Sequence, residues 1–264
     1  MRIGVFDSGL GGLSVVRAIR QQLPRADLLY FADQAMLPYG QRPPEQVRSL
    51  TGSACDWLMA QGCSAIVLAC NTATAAAVAE RRARHPGFGF VGMVPAIKPA
   101  AEATRSGVVG VLATPGTLSG QHFQQTRAAH AAHLKVIERG CPGWVEAVES
   151  GLSGDALREL LRVEVEPLID AGADWLVLGC THFPFLAATI AEVAGPGVSL
   201  LDPAPSVARQ LARVAGPGAD QGSGELQAVS TAEPARLADG IRRLLGEQVR
   251  VAGLRREGDQ LAES

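Results

Sequence analysis

Two stretches of this chain repeat one another, and they constrain the fold more than any other feature. Residues 62–74 read GCSAIVLACNTAT and residues 172–184 read GADWLVLGCTHFP, so a constant offset of 110 residues aligns Cys70 with Cys180. An apolar run followed by reactive side chains is typical of the carboxyl end of a buried parallel strand. Open α/β sheets bind their ligands at that end. We therefore expect two thiols at equivalent ends of equivalent strands.

Apolar runs and helical patterns alternate along the chain. In its first part, strands are predicted at 2–6, 28–32, 65–69 and 89–94, and helices at 13–23, 45–61 and 73–84. This alternation predicts a parallel α/β sheet. The second part repeats the first, since residues 110–116 resemble residues 4–9 and residues 202–204 resemble residues 94–96. Repetition over about a hundred residues indicates duplicated domains.

We therefore predict an α/β protein with two pseudo-symmetric parallel-sheet domains that face each other across a central cleft. The first unit ends near residue 97 and the second near residue 205. Residues 206–264 are too short for a further domain and are expected to pack back on one of the two. Residues 246–264 are charged and weakly patterned, and their end is expected to fray. A cleft between domains is a common ligand site.

Bulk properties exclude several classes of function. The chain has 264 residues, 47% of them hydrophobic, a formal net charge of −2 and a pI of about 6.2. This balance indicates neither a nucleic-acid nor a membrane partner. The amino-terminal sequence lacks the charged and apolar regions of a signal peptide. The lack of a signal peptide and the five cysteines, an odd number without paired spacing, together predict reduced thiols in the cytoplasm.

Two opposed thiols can invert a stereocentre. One removes a proton from one face of a small molecule held between them, and the other delivers a proton to the opposite face. A thiol has an ordinary pKa of about 8.5, which a helix N-terminus or a cationic neighbour lowers. Both thiols are predicted just before a helix, which starts at residue 73 after Cys70 and at residue 185 after Cys180. The other cysteines, Cys55, Cys63 and Cys141, are interpreted as small buried hydrophobic side chains.

Candidate proton partners lie beside both thiols. Asp7 ends the first strand and could orient Cys70 or accept its proton; the alternative is that it caps the following helix. His182 lies two residues after the second thiol. Alone it would be interpreted as structural, and the repeated thiol favours a function. Glu149 and Glu146 are candidates to orient His182, with surface glutamates on a helix as the alternative.

Polar groups around the thiols are candidate donors to the carboxylate and partners of the ammonium of an amino acid. They are Asn71, Thr72, Thr74 and Thr181. The glycine-rich residues 9–12 lack the full dinucleotide-binding spacing, and their backbone N–H groups could hold a carboxylate. Tyr39 and Gly40, in a loop held by three prolines, form a further candidate clamp.

The sequence predicts neither a metal nor a cofactor. His122, His130 and His133 lie in a predicted polar helix without a Cys pair at metal-site spacing, which favours a solvated face over metal ligation. Pyridoxal phosphate would need a Schiff-base lysine. The only lysines in the sequence, Lys98 and Lys135, do not lie at a strand end within these motifs. A route without a cofactor is therefore favoured.

Seven motifs occur in order between residue 4 and about residue 245: GVFDSGLGGLSV (4–15), ADQAMLPYG (32–40), ACNTAT (69–74), VPAI (94–97), LATPGT (112–117), VES (148–150) and LGCTHFP (178–184). Taken together they resemble the glutamate racemases of the cofactor-independent aspartate/glutamate racemase superfamily. The resemblance implies that the last helices return to the first domain. That domain would comprise residues 1–97 plus 206–264, and the second would comprise residues 98–205.

The resemblance also implies roles for individual residues. Cys70 and Cys180 would be the acid/base thiols that act on D-glutamate and L-glutamate, respectively. Asp7 would assist Cys70, and His182 with Glu149 would assist Cys180. The implied substrate contacts are Asp7, Ser8, Pro38, Tyr39, Gly40, Asn71, Thr72, Thr117, Thr181 and His182. The implied activity interconverts L- and D-glutamate without a cofactor and supplies D-glutamate for peptidoglycan.

Small departures from the family pattern and several alternatives accompany this interpretation. Thr74 stands where serine is frequent, and Phe183 replaces the more usual tyrosine. The chain begins almost at its first strand, so we expect no regulation through an N-terminal extension. The alternatives are a racemase for aspartate or with broad specificity, a decarboxylase, a second role as a gyrase inhibitor, and a redox role for the thiols. The expected partner is glutamate, and the sequence leaves open whether the protein is a homodimer.

Overall fold

The structure is a computed structural model that describes residues 1–93, 96–258 and 260–263. Two residues of the VPAI motif, Val94 and Pro95, lie outside the described residues, as does the end of the strand predicted at 89–94. The chain divides into two compact units. Unit 1 consists of Met1–Met93 and Ala204–Ser264, and unit 2 consists of Val94–Pro203.

Strands and helices alternate along most of the described chain. The strands are β1 (Arg2–Asp7), β2 (Asp27–Ala32), β3 (Cys63–Leu68), β4 (Gly89–Gly92), β5 (Val108–Ala113), β6 (Lys135–Gly140), β7 (Trp175–Leu178), β8 (Ser199–Leu201), β9 (Leu226–Ser230), β10 (Val251–Glu257) and β11 (Gln260–Glu263). The α-helices are α1 (Leu13–Gln22), α2 (Pro44–Ala60), α3 (Asn71–Arg84), α4 (Ile97–Ala103), α5 (Pro115–Leu118), α6 (Gln121–His130), α7 (Trp144–Ser150), α8 (Gly154–Asp170), α9 (Ala187–Ala194), α10 (Ala204–Ala215) and α11 (Pro234–Leu245). Short 3-10 helices occur at Gln34–Met36, Tyr39–Gln41, Phe183–Leu186 and Pro217–Asp220.

The sheet of unit 1 places the ends of β1 and β3 side by side. Its order over the described residues is β11-β10-β9-β2-β1-β3-β4, and every pairing except that of β10 with β11 is parallel. The chain runs from β1 to β2 on one side and later places β3 on the other side of β1. The crevice at such a topological switch point is where open α/β sheets bind ligands.

Unit 2 repeats this arrangement on a smaller scale. Its sheet has the order β6-β5-β7-β8 over the described residues, with parallel pairings throughout. This matches the order β2-β1-β3-β4 of unit 1, so β5 and β7 correspond to β1 and β3. The switch point of unit 2 therefore lies between the carboxyl ends of β5 and β7. The predicted class, a parallel α/β fold with two similar units, is confirmed.

The carboxyl-terminal segment forms two strands, which the weak pattern of residues 246–264 did not indicate. β10 continues the parallel sheet beside β9, and β11 pairs with β10 in antiparallel register. Leu254 is buried and joins the core of unit 1. One buried leucine among charged residues is too weak an apolar pattern to indicate a strand, so the tertiary contacts decide here.

Other differences are local. α3 begins at Asn71 rather than at residue 73. α6 ends at His130, so His133, which was predicted to lie in this helix, lies beyond it. The predicted loop before α2 contains two 3-10 helices. In the part of the chain that is described, no helix is long and apolar enough to cross a membrane.

Candidate active site

Cys70 is the N-cap residue of α3. Its backbone is extended, its Sγ accepts a hydrogen bond from the Ala73 amide at 3.5 Å, and its carbonyl accepts one from the Thr74 amide at 2.9 Å. The residue is 7% exposed. The partial positive charge of a helix N-terminus favours negative charge on an atom in this position. The helix N-terminus that follows β3 therefore surrounds Cys70 with backbone groups that favour its thiolate form.

The turn after β1 lies beside this thiol. Ser8 Oγ lies 3.9 Å from Cys70 Sγ, and Asp7 Oδ1 accepts a hydrogen bond from the Gly9 amide at 2.9 Å. Asp7 and Ser8 are both buried. A side chain at position 12 would place its Cβ 2.6 Å from the Cβ of Asp7, so the turn requires glycine there. We call Asp7, Ser8 and Cys70 the Cys70 cluster.

The alternative that Asp7 caps the first helix is wrong. The N-cap of α1 is Gly12, and no side chain caps that position. The carboxylate of Asp7 instead holds the turn through the Gly9 amide.

The second thiol lies in a chain of three buried side chains. Cys180 Sγ is 3.8 Å from His182 Nδ1, and His182 Nε2 is 2.9 Å from Glu149 Oε1. The side chains of His182 and Glu149 are 2% and 3% exposed. A thiol, an imidazole and an orienting carboxylate in this order form an arrangement that moves protons to and from a thiol. We call Cys180, His182 and Glu149 the Cys180 cluster.

The structure distinguishes between the two glutamates that the sequence left open. Both lie on α7, but Glu146 is exposed whereas Glu149 is buried and contacts His182. Trp144, at the start of the same helix, packs on Phe183 with ring centroids 4.8 Å apart. This contact holds α7 against the segment that carries His182.

The backbone after Cys180 differs from that after Cys70, and the helical pattern expected from residue 185 becomes an α-helix slightly later. A 3-10 helix follows at Phe183–Leu186, and α9 begins only at Ala187. An α-helix capped by Cys180 would need the N–H of residue 184 to bond the Cys180 carbonyl. Pro184 has no N–H. The Phe183 amide therefore donates to that carbonyl at 3.1 Å and closes a tighter turn.

Tyr39 is held by a carboxylate that sequence reasoning missed. Its ring is buried, and its hydroxyl donates to Asp33 Oδ2 at 2.5 Å. Burial, together with the negative charge of Asp33, raises the pKa of Tyr39 well above its usual range, so the phenol stays protonated. Pro38 and Gly40 on either side are partly exposed. Asp33 directly follows β2, and a carboxylate at that edge of the sheet was the available signal.

Asn71 has the clearest unmet hydrogen-bonding capacity near Cys70. It is 4% exposed, and both its Nδ2 and its Oδ1 are buried without a hydrogen-bond partner among the described residues. Buried polar atoms of this kind are normally paired, so the amide of Asn71 can offer both atoms to a bound molecule. Thr72 and Thr181 are also buried.

Thr74 is not available as a donor to substrate, contrary to the sequence-based interpretation. Its hydroxyl donates to the Leu68 carbonyl at 2.9 Å and accepts from the Met93 amide at 3.0 Å. These bonds connect α3 to the end of β3 and to the segment after β4. Its role is therefore structural.

Thr117 lies on α5, the short helix that follows β5, and β5 is the strand that corresponds to β1. It is 2% exposed, and its Oγ1 is 3.0 Å from Thr114 Oγ1. Thr114 caps α5, and Pro115 occupies the first turn of that helix. Sequence reasoning missed Thr114, although threonine before proline at a strand end is a recognisable N-cap signal.

The three remaining thiols differ from Cys70 and Cys180 in their surroundings. Burial raises the pKa of Cys55 to about 12 and that of Cys63 to about 11. Burial, with the negative charge of Glu164, also raises the pKa of Cys141. These groups stay protonated near neutral pH, which agrees with their interpretation as hydrophobic side chains.

Neither lysine is placed like a catalytic amine. Lys98 lies on α4, is exposed and pairs with Glu102 at 4.0 Å. Lys135 is exposed at the amino end of β6, opposite to the edge that carries the thiols. Among the described residues, no group of three or more His, Cys, Asp and Glu side chains could hold a metal ion.

The fold and the site define an α/β protein of two similar units, each with a buried thiol at the switch point of its parallel sheet. Comparison with known proteins identifies the family. The sequence model of the Asp/Glu/hydantoin racemase family matches residues 3–211. A glutamate racemase of Roseiflexus sp. (strain RS-1) is 47% identical over 248 residues, which cover 92% of this chain and 91% of the relative.

Solved structures give the same result. The glutamate racemase of Escherichia coli, in complex with L-glutamate and the activator UDP-MurNAc-Ala, superposes with a TM-score of 0.85 at 30% identity, covering 96% of this chain and 97% of that one. That of Francisella tularensis, in complex with D-glutamate, has a TM-score of 0.81 at 25% identity, covering 98% of each chain. The present chain therefore belongs to the Asp/Glu/hydantoin racemase family, within the branch of the glutamate racemases, which are isomerases.

Proposed function

We propose that this protein interconverts L- and D-glutamate by a two-base mechanism, with Cys70 and Cys180 acting on opposite faces of Cα. The observation that carries the proposal is the equivalence of the two thiols. Each is buried at the switch point of its own sheet, and each has its own polar partners. Relatives solved with L-glutamate and with D-glutamate support the choice of substrate.

The reaction moves two protons and forms no covalent bond to the enzyme. From L-glutamate, the Cys180 thiolate takes the Cα proton, and the Cys70 thiol gives its proton to the other face of Cα. The product is D-glutamate, and the thiol and thiolate have exchanged places. Return to the starting state requires a proton to leave Cys180 for solvent and another to reach Cys70 from solvent, the second with the proposed help of Asp7. His182 is placed to accept the first, and an ionised Glu149 stabilises the imidazolium that forms.

Positioned donors supply the remaining stabilisation. The Cα proton of an amino acid is a very weak acid, and general acid–base action alone typically contributes only about 10²–10⁴-fold. Preorganised donors on the carboxylates stabilise the negative charge that develops as the proton leaves. The amide of Asn71, which has no hydrogen-bond partner in the described part of the chain, is suited to this role. We propose further substrate contacts from Asp7, Ser8, Pro38, Tyr39, Gly40, Thr72, Thr117, Thr181 and His182.

The proposed reaction needs no cofactor, because two thiols supply both the base and the acid. In the cell, the proposed role is the supply of D-glutamate for peptidoglycan in the cytoplasm. Expression of the protein in a bacterium that requires D-glutamate tests this role. Growth without added D-glutamate is expected, and failure of an expressed, active protein to restore growth would contradict the cellular role.

The activity is tested by racemisation of L-glutamate without added cofactor, followed by circular dichroism. The native enzyme is expected to be active. The variants Cys70→Ser and Cys180→Ser are each expected to lose about 10²–10⁴-fold or more in kcat, because a hydroxyl is a far weaker acid than a thiol. Cys63→Ser is the matched control, because Cys63 is a buried thiol at the opposite end of the strand that leads to Cys70. Undiminished activity in either of the first two variants would exclude that thiol as a base.

A further inference from the structure

A buried ion pair lies at the carboxyl edge of the unit 1 sheet, outside the Cys70 cluster. Arg256 Nε, on β10, donates to Asp33 Oδ1 at 2.9 Å, and Asp33 directly follows β2. The two side chains are 2% and 0% exposed. Removing two charges from water is costly, so a buried pair is weak evidence for stability. Its geometry therefore suggests a different role.

Asp33 connects this pair to Tyr39. Its Oδ2 accepts the short hydrogen bond from the Tyr39 hydroxyl, while its Oδ1 accepts from Arg256 and, at 2.8 Å, from the Thr231 hydroxyl. Both carboxylate oxygens are thus used. The Tyr39 ring packs against Phe6 with centroids 6.1 Å apart. Tyr39 also belongs to the same buried core as Cys70.

The far end of Arg256 is fixed as well. Its Nη1 donates to Ser53 Oγ at 3.1 Å, and its Nη2 lies 3.5 Å from the Leu50 carbonyl. Both partners belong to α2. The planar guanidinium with its fork of donors therefore joins a helix to the Asp33 carboxylate, a geometry that the flexible ammonium of lysine cannot reproduce.

Further bonds connect the loop before α2 to the carboxyl-terminal part of the chain. The Ala35 amide donates to Thr231 Oγ1 at 3.1 Å, and Ser230 Oγ donates to Gln34 Oε1 at 3.0 Å. Ser230 ends β9 and Thr231 follows it. The segment around Tyr39 is thus held from the sheet edge formed by β9 and β10.

We infer that Arg256 is a positioning residue which, through Asp33, fixes Tyr39 and Gly40 for contact with the substrate. The inference rests on the proposed function, because contact of Tyr39 and Gly40 with glutamate is part of that proposal. Arg256 compensates the buried charge of Asp33 and keeps the carboxylate as the acceptor for the phenol. The carboxyl-terminal strand therefore belongs functionally to the site, although it lies three strands away from β1 in the sheet.

The kinetic test compares Arg256→Gln and Tyr39→Phe with the native enzyme. Each is expected to raise KM for L-glutamate about tenfold, with a smaller change in kcat, since each breaks one hydrogen bond to a charged group. The double variant is expected to be no worse than the more affected single variant, because both changes interrupt one connection. Arg256→Lys, which keeps the charge, is expected to restore part of the loss.

Two control variants separate positioning from stability. Arg255→Gln alters the neighbouring arginine of β10, whose side chain is 73% exposed, and is expected to leave KM unchanged. Arg81→Gln removes another buried arginine of unit 1, which pairs with Asp56 at 2.9 Å. It is expected to lower the melting temperature while leaving KM unchanged. If Arg256→Gln behaved like Arg81→Gln, Arg256 would be merely structural.

Hydrogen exchange tests the inference without depending on activity. Amides in residues 34–41 are expected to exchange at least about tenfold faster in Arg256→Gln than in the native protein, and to be unaffected in Arg81→Gln. Unchanged exchange in this segment would overturn the inference, whatever the kinetics. Absence of racemisation in the native enzyme would instead overturn the proposed function, so the two failures are distinguishable.

Discussion

The Cys70 cluster and the Cys180 cluster occupy the same position in two sheets of the same order, yet their thiols have different partners. Cys70 caps an α-helix, and its sulfur accepts a backbone hydrogen bond from Ala73. Cys180 cannot cap an α-helix, because Pro184 has no N–H for the first helical bond. Its sulfur lies instead beside a buried imidazole that a carboxylate orients.

The difference suggests a general rule for this duplicated fold. Where the backbone supplies a helix N-terminus, a thiol needs little help from side chains, since the helix itself favours the thiolate. Where the helix is delayed by a proline, side chains from another element must supply the charge and the proton. The Cys180 cluster should therefore be the more sensitive of the two to replacement of a partner side chain.

The largest expected effect comes from removing those partners. His182→Asn is expected to lower kcat by about 10²–10⁴-fold, the usual range for a general acid or base. Ser8→Ala, the matched change beside Cys70, is expected to cost about tenfold or less, because the Ala73 amide still bonds the sulfur. The measurement is steady-state racemisation in both directions, with thermal unfolding of each variant as the control.

An equal loss in the two variants would contradict the comparison. It would mean that Cys70 depends on its side-chain partner as strongly as Cys180 depends on His182. A larger loss in Ser8→Ala than in His182→Asn would reverse the assignment of backbone and side-chain support.

A second prediction separates substrate contacts from structural ones at the start of α3. Asn71→Ala is expected to raise KM about tenfold and to leave the free energy of unfolding almost unchanged, since its amide has no partner among the described residues. Thr74→Val is expected to show the opposite pattern, with a loss of about 1 kcal/mol of stability, because its hydroxyl makes two hydrogen bonds. Kinetics and urea denaturation of both variants provide the comparison, and a large loss of stability in Asn71→Ala would contradict it.

The smallest expected effect concerns the amino end of β7, away from either thiol. Burial tends to raise the pKa of Asp174, but hydrogen bonds from the Thr104 hydroxyl and from the Arg105 and Ser106 amides outweigh it and lower the pKa to about 2. A depressed pKa means that the carboxylate stabilises the fold above its ordinary pKa of 3.8 and that this contribution is lost as the pH falls to about 2.

Asp174→Asn is therefore expected to lower stability by about 1 kcal/mol at neutral pH, a value reduced for solvent screening. The difference from the native protein should shrink between about pH 4 and pH 2. Urea denaturation across this range is the measurement. A difference that is constant with pH would show that the charge of Asp174 is not the cause.

Much of the fold could be predicted because its signals are local. The repeated apolar runs ending in Cys70 and Cys180 indicated equivalent parallel strands, and the structure has them as β3 and β7. The pairing of His182 with Glu149 could not be derived from spacing, because the two residues lie on different elements and are 33 residues apart. The choice of Glu149 rests on the family resemblance more than on any spacing.

The parts that could not be predicted depend on contacts between distant segments. β10 carries a buried arginine, and an arginine in a charged segment is normally a sign of exposure. Its partner Asp33 is 223 residues away, so neither residue indicates the other. The late start of the helix after Cys180 follows from local sequence: the helical pattern begins at residue 185, after Pro184, which has no N–H, and α9 begins at Ala187.

Racemisation of L-glutamate in deuterated water, stopped at low conversion, tests directly whether two thiols act on opposite faces of one substrate. Deuterium is expected at Cα of the D-glutamate formed, with little deuterium in the L-glutamate recovered, because the base that removes the proton is not the acid that returns one. Equal deuterium in both enantiomers would indicate a single base. D-Glutamate that retains the original hydrogen would contradict the two-thiol mechanism.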